Sequence, residues 1–303
     1  MRGTFHDMRV AFLGLGAIGA PIASHFAGPH RLTVWNRTRG RADAFARGRE
    51  VRIAESPREA AEGADVLCTC LPTSAEVEAV LFGPNGAAGA LAKGSLVIDC
   101  TSGDPGTSRR IAERLAAQGV DFVDAPVSGG VSLAEKGELT VMLGGSAEAA
   151  ERARPLVALF GKKKVVHIGP VGAGHAVKGV NNALLAANIL SAAEGITALV
   201  KAGVAPRLAV ETINASSGAS FVTQSLVPDR VLTGAYPKSF RLALLDKDCG
   251  IALDLVNAMG IDSAVLTAVK AKMAALRAVV GEEDDYMAPF RVAESLAKVA
   301  IRG

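Results

Sequence analysis

The stretch "GAGHAVKGVNNALLAAN", residues 172–188, carries Lys178 and, four positions on, Asn182 in a run that is otherwise apolar nearly all round. Residues at i and i+4 share one face of a helix. A lysine facing a packed interior loses hydration, so it needs a partner, a lowered pKa or a chemical task. A partly desolvated amine is suited to taking the proton from a hydroxyl as hydride leaves the adjoining carbon, and to returning it in reduction. Asn182 would hydrogen-bond the same oxygen or fix the ammonium. Spacing alone leaves a second reading open, a lysine that extends its head to solvent along an apolar helix.

Two further clusters could do chemistry. Gly14, Gly16 and Gly19 in "GLGAIG", with Leu15, Ala17 and Ile18 between them, follow a strand-like run and precede a helical one. In that context the first glycine permits a tight turn, the second lets a pyrophosphate approach the backbone, and the third lets helix pack on strand. The following helix start supplies amide donors for phosphate. The next strand ends in "WNRT". Asn36 stands where an NAD-preferring site commonly carries an acidic residue, and Arg37 beside Thr38 offers a fork that fits a 2′-phosphate. Arg39 and Arg41 follow. The pattern favours NADP, with NAD as the alternative. The second cluster is "DAPVSGG", 124–130. Ser128, Gly129 and Gly130 after a strand present successive amides that suit a carboxylate, or form a plain turn.

These residues need elements to hold them. Apolar runs at 9–16, 32–36, 64–72, 95–102, 120–130, 139–145 and 164–170 read as strands, alternating with helical patterns. Such alternation predicts a mostly parallel sheet covered on both faces, with the last two strands pairing antiparallel at an edge. Ser146 and Glu148 suit a helix start. After residue 170 strand signals vanish. Runs of Ala, Leu and Val at helical spacing take over, broken by "GVAP", "SSGAS" and "GAYPKS". The expected division is a dinucleotide-binding domain over 1–169 and an all-helical domain over 170–303.

The 303 residues suffice for two domains, and half are hydrophobic, enough for a sizeable core. A net charge of +3 is too small to suggest a nucleic-acid surface. Cys68, Cys70, Cys100 and Cys249 form no CxxC pair, so neither a zinc site nor a thioredoxin-like motif is indicated, and a reducing, cytoplasmic setting is expected. The opening residues lack the apolar stretch of a signal peptide. No run of about 18 uncharged apolar residues occurs, so no membrane span is expected.

Four separated motifs, "GLGAIG" at 14–19, "DAPVSGG" at 124–130, "GAGHAVKGVNN" at 172–182 and "LLDKDCGIA" at 244–252, occur in the order of the β-hydroxyacid dehydrogenase family. The whole chain resembles that family in its 3-hydroxyisobutyrate dehydrogenase, tartronate-semialdehyde reductase and glyoxylate reductase branch. The resemblance implies an α/β Rossmann-type domain joined to an all-α domain of the 6-phosphogluconate dehydrogenase-like kind, with the active site between them. It implies an NAD(P)-dependent oxidoreductase that interconverts a small 3-hydroxy acid and its semialdehyde or keto acid, works as a homodimer or homotetramer, and takes a small carboxylate as its partner.

Residue by residue, Lys178 matches the family's catalytic lysine and Asn182 the asparagine that helps hold substrate. Ser128, Gly129 and Gly130 match the loop for the substrate carboxylate. Lys247 matches a lysine near the nicotinamide end of the cofactor, with Asp248 beside it toward substrate. Leu71 and Pro72 match a loop on the adenosine side. Thr101 and Ser102 align with a Ser–Thr pair whose order is swapped here, Ser102 toward the nicotinamide and Thr101 toward substrate. Phe221 lines the substrate pocket or belongs to the core. His175 matches no catalytic position and reads as structural. Two other readings stay open, an imine reductase-like enzyme and a non-catalytic dinucleotide-binding protein. Lys178 counts against both.

Overall fold

The computed structural model describes residues 7–303. The expectation that the opening residues hold no signal segment rests largely on residues 1–6, outside the described residues. The apolar runs form a nine-stranded sheet of β1 (Arg9–Leu13), β2 (Arg31–Trp35), β3 (Arg52–Ile53), β4 (Val66–Thr69), β5 (Leu96–Asp99), β6 (Asp121–Asp124), β7 (Val127–Ser128), β8 (Thr140–Gly144) and β9 (Lys164–Gly169). The order β3-β2-β1-β4-β5-β6 is parallel throughout. Alternate side chains feed two cores on opposite faces. Val10, Phe12, Cys68 and Ile98 point to one, Ala11, Leu13, Leu67 and Val97 to the other. That is why these strands read as continuous apolar runs rather than alternating ones.

Between the strands lie α1 (Gly19–Ser24), α2 (Arg39–Ala46), α3 (Pro57–Ala61), α4 (Ser74–Phe82), α5 (Pro105–Ala116), α6 (Gly130–Lys136) and α7 (Ala147–Val157). Their starts follow ordinary capping chemistry. Ser56, Thr73, Asp104 and Ser146 each accept a hydrogen bond from the amide three residues on.

Two expectations need correction, and two short elements went unread. The last two strands are parallel to each other, β8 with β9, and it is β8 that runs antiparallel to β6 and β7. The run 120–130 is not one strand. Pro126 has no amide hydrogen for a ladder, so the run breaks into β6 and the two-residue β7, which pairs with β8 instead. The short β3 and α3 gave no apolar run long enough to read as elements.

The remaining elements are helical: α8 (Ala173–Lys201), α9 (Pro206–Asn214), α10 (Leu242–Ala258), α11 (Ala264–Val280) and α12 (Ala288–Ala297). The segment Val222–Leu232 winds as a wide π-helix rather than an α-helix. It contains Pro228, which has no amide hydrogen to donate to the preceding turn.

The chain divides into two compact units between Lys178 and Gly179, within α8. Ala183, Ala186, Ile189, Leu190, Ala193 and Ile196 of α8 build the core of the second unit with Leu245, Cys249 and Ala252 of α10. Each such leucine or isoleucine contributes about 1.5–3 kcal/mol by burial. α8 is long and apolar enough to cross a bilayer by length and composition, and 44% of the apolar window is buried within the protein.

Candidate active site

β1 delivers the chain into the glycine loop. Gly14 has φ +105°, and a Cβ there would lie 2.3 Å from the Cys70 carbonyl oxygen. Only glycine fits this backbone and this approach. A Cβ on Gly19 would lie 2.1 Å from the Gly14 carbonyl oxygen, so the third glycine seats α1 on the turn. Gly16 differs from both, because a Cβ on it would meet nothing within 4 Å. The protein itself does not require glycine at 16. A pyrophosphate approaching the backbone would, so the loop fits a dinucleotide.

Leu15 is tied to the end of β2. Its amide donates to Asn36 Oδ1 at 2.9 Å, and Asn36 Nδ2 donates to the Thr38 carbonyl at 2.9 Å. Ala17 is exposed and Ile18 half-buried on the same turn. The Arg37 head is largely exposed, 3.9 Å from Glu76. Arg39 is held by Glu55 and by Asp43 at 2.9 Å, which raise its pKa further and hold its guanidinium toward those carboxylates.

The ends of β4 and β5 are joined. The Leu71 amide donates to Thr101 Oγ1 at 3.1 Å. Thr69 Oγ1 and the Thr101 amide both donate to buried Asp99 Oδ1, at 2.8 and 3.0 Å. Thr101 is therefore buried in a structural tie, whereas Ser102 is half-buried and Pro72 exposed. Burial pushes the Cys70 thiol up to about 12, aided by Asp99, and raises Cys68 and Cys100 as well. These are neutral thiols that pack as small hydrophobes.

After β7, Gly129 (φ +144°) and Gly130 (φ +75°) turn the chain into α6. A Cβ on Gly129 would crowd Leu139 and Leu133, whereas Gly130 faces open space. Ser128 is half-buried between Val127 and this turn.

Lys178 lies on α8 at 9% exposure. One turn earlier, His175 is fully buried, with Nδ1 2.7 Å from Ser108 Oγ and Nε2 3.9 Å from Asp99 Oδ2. The buried carboxylate of Asp124 accepts from the Gly172 amide at 2.7 Å and the His175 amide at 2.8 Å. Asp124, Ser108 and Asp99 were not picked out as site residues from sequence. One signal was available for Asp124, a charged residue closing an otherwise buried strand.

In the second unit, Asn182 Nδ2 donates to Asp248 Oδ2 at 2.5 Å, and Asn181 Nδ2 donates to Asn182 Oδ1 at 3.1 Å. Lys247 Nζ lies 3.2 Å from Asp248 Oδ1. Neighbouring Asp246 faces α11 instead, paired with Lys270 and with Arg277 at 3.0 Å. Asn182, Lys247 and Asp248 thus form one linked set, while Phe221 is 63% exposed and outside it. Among the described residues, no group of three or more His, Cys, Asp or Glu is placed to hold a metal.

A mostly parallel sheet with a glycine loop at the end of its first strand, and a buried lysine on α8 at the end of that unit before a helical second unit, defines the class of nicotinamide-dependent oxidoreductases. Residues 9–169 match the model for the NAD-binding domain of 6-phosphogluconate dehydrogenase, and residues 172–293 the NAD-binding model of NADP-dependent 3-hydroxyisobutyrate dehydrogenase. The chain is 32% identical to 2-(hydroxymethyl)glutarate dehydrogenase of Eubacterium barkeri over 98% of both chains. It is 36% identical to 3-hydroxyisobutyrate dehydrogenase of Pseudomonas aeruginosa, over 80% of this chain and 84% of that one. The solved 3-hydroxyisobutyrate dehydrogenase of Mycobacterium tuberculosis with L-serine superposes with a TM-score of 0.87 at 28% identity, covering 94% of this chain and 99% of that one. The chain belongs to the β-hydroxyacid dehydrogenase family.

Proposed function

We propose that this protein reduces a short semialdehyde or keto acid to the 3-hydroxy acid with NADPH, and catalyses the reverse oxidation, with Lys178 as the general acid and base. The carrying observation is Lys178 at 9% exposure on α8, one turn before Asn182, whose amide is oriented by Asp248. A buried amine that can reach a substrate oxygen is suited to general acid–base catalysis. A reduced nicotinamide cofactor held at the 14–19 loop would supply the hydride for the substrate carbonyl carbon. The Lys178 ammonium polarises the carbonyl oxygen and gives it a proton as negative charge develops there. In oxidation the neutral amine takes that proton back. Asn182 hydrogen-bonds the same oxygen, and the amides at Ser128, Gly129 and Gly130 hold the substrate carboxylate, with exposed Phe221 contributing to the pocket and buried Thr101 supporting it only through the Leu71 amide.

Arg37 favours NADP over NAD, because Asn36 brings no charge to repel a 2′-phosphate. Large apolar side chains exposed on the second unit, Leu184, Val265, Val279 and Leu296 among them, suit a homodimer or homotetramer. Four free thiols suit a reducing cytoplasm.

The test follows NADPH consumption at 340 nm over a panel of small semialdehydes and their carboxylate-free analogues. Lys178→Ala should lower kcat by about 10²–10⁴-fold while NADPH still binds. Near-full turnover by that variant would remove Lys178 from the role.

A further inference from the structure

Resting on that reading of Lys178, we propose that Asp124 and Ser108 are positioning residues for it, acting through the first turn of α8. This helix begins without a capping side chain of its own. Gly172 occupies the cap position, its carbonyl accepting the first helical bond from the Ala176 amide at 2.9 Å. A cap residue usually contributes a side-chain oxygen to the amide three residues on, and a glutamate there often reaches back to the cap amide. Here Asp124 does both from the end of β6, with one oxygen on Gly172 and the other on His175. The carboxylate also sits at the positive end of the helix dipole.

The surroundings are shaped around this contact. A Cβ on Gly144 would lie 2.3 Å from Asp124 Oδ1, and one on Gly174 2.9 Å from Oδ2 and 2.3 Å from the Met142 carbonyl oxygen. A Cβ on Gly172 would lie 2.8 Å from the Pro105 carbonyl oxygen. Asp124 thus fixes the helix start along its axis. The His175 ring fixes its rotation, held by Ser108 Oγ, which itself donates to the Asp104 carbonyl at 3.0 Å. Gly103 lies against the other side of that ring, where a Cβ would be 2.7 Å from Cε1. Lys178 is three residues on from His175, about 4.5 Å along the axis.

The anchor is not interchangeable with a local cap. Asp124 lies four residues before Ser128, and between them the Pro126 carbonyl accepts from the Met142 amide at 3.1 Å. One carboxylate therefore ties the first turn of α8, three residues before Lys178, to the chain segment that leads into the 128–130 loop. Misplacing a catalytic group by about 1 Å can cost about 100-fold in rate.

The test is a double-mutant cycle with kcat, KM, NADPH affinity and thermal midpoint measured for each variant. Asp124→Asn turns an N–H toward one helix amide in place of an acceptor. It should lower kcat by about 10- to 100-fold with NADPH affinity unchanged, yet leave the residual rate of Lys178→Ala within about twofold, since a group that acts through the lysine has no effect left once the lysine is gone. Ser108→Ala removes both hydrogen bonds of that hydroxyl, to the His175 ring and to the Asp104 carbonyl, and should lower kcat about two- to tenfold in the same lysine-dependent way. It carries the cycle if Asp124→Asn does not fold. Equal losses with and without Lys178, or wild-type kcat in the variants, would overturn the positioning role while leaving Lys178 as the acid and base. Full turnover by Lys178→Ala would overturn the reading of the lysine and this proposal with it.

Discussion

Asn36 uses both ends of its amide inside the protein, taking the Leu15 amide and giving to the Thr38 carbonyl. Arg39 is committed to Asp43 and Glu55. Arg37, with its head exposed and next to Asn36, is the group best placed for a 2′-phosphate under the NADP reading, with exposed Arg41 one turn of chain beyond it. Arg37→Ala should raise KM for NADPH about 10- to 100-fold, the range for charge-assisted hydrogen bonds, and hardly change KM for NADH. Steady-state kinetics with both cofactors check this. Equal effects on the two would detach Arg37 from the phosphate. The types at 36 and 37 were legible in sequence. The use of the Asn36 amide was not, because its partner lies 21 residues away in the chain.

At the scale of elements, the strand–turn–helix unit separates what the fold needs from what a cofactor needs. Gly19→Ala places a methyl against the Gly14 carbonyl, and such overpacking costs about 1–3 kcal/mol. The thermal midpoint should fall. Gly16→Ala meets no protein atom, so the midpoint without cofactor should stay within about 1 °C, a ΔΔG near zero. NADPH affinity, read by its fluorescence, should nevertheless drop for Gly16→Ala. Unchanged affinity would mean that the pyrophosphate does not pass this glycine. The same motif thus contains two glycines required by folding, Gly14 and Gly19, and a third, Gly16, facing open space. Spacing alone does not tell them apart, because Gly14 is crowded by the Cys70 carbonyl just past β4 and Gly19 by the Gly14 carbonyl across the turn.

Acid stability belongs to the whole molecule. Burial would raise Asp104, but the Thr107 hydroxyl and amide hold it below the usual carboxylate range. Burial likewise opposes, and Arg291 lowers, Asp284. Arg9 lowers Asp65, and the Glu55 amide with Arg52 lowers Glu59. A carboxylate whose folded pKa is depressed stabilises the fold fully above its unfolded value, and that contribution is lost as pH falls through the folded value. With unfolded values of 3.8 for aspartate and 4.5 for glutamate, the thermal midpoint should be insensitive to these groups above about pH 5.5 and decline below about pH 4. A decline that began near neutrality would point to other groups. Asp104→Ala should shrink the acid-dependent part and cost about 1 kcal/mol through loss of the α5 cap.

The sequence by itself determined the parallel sheet, the glycine loop after its first strand, and the helical second half. Each is written in local periodicity and in glycines whose backbone demands are local. Only the tertiary structure decided that β8 and β9 run together, that 120–130 breaks at Pro126, and that Asp248 spends one oxygen on Asn182. The cap of α8 is the clearest case. Its partners, Asp124 and Gly172, stand 48 residues apart, and no pattern along the chain records which carboxylate a helix start meets once strands and helices have packed.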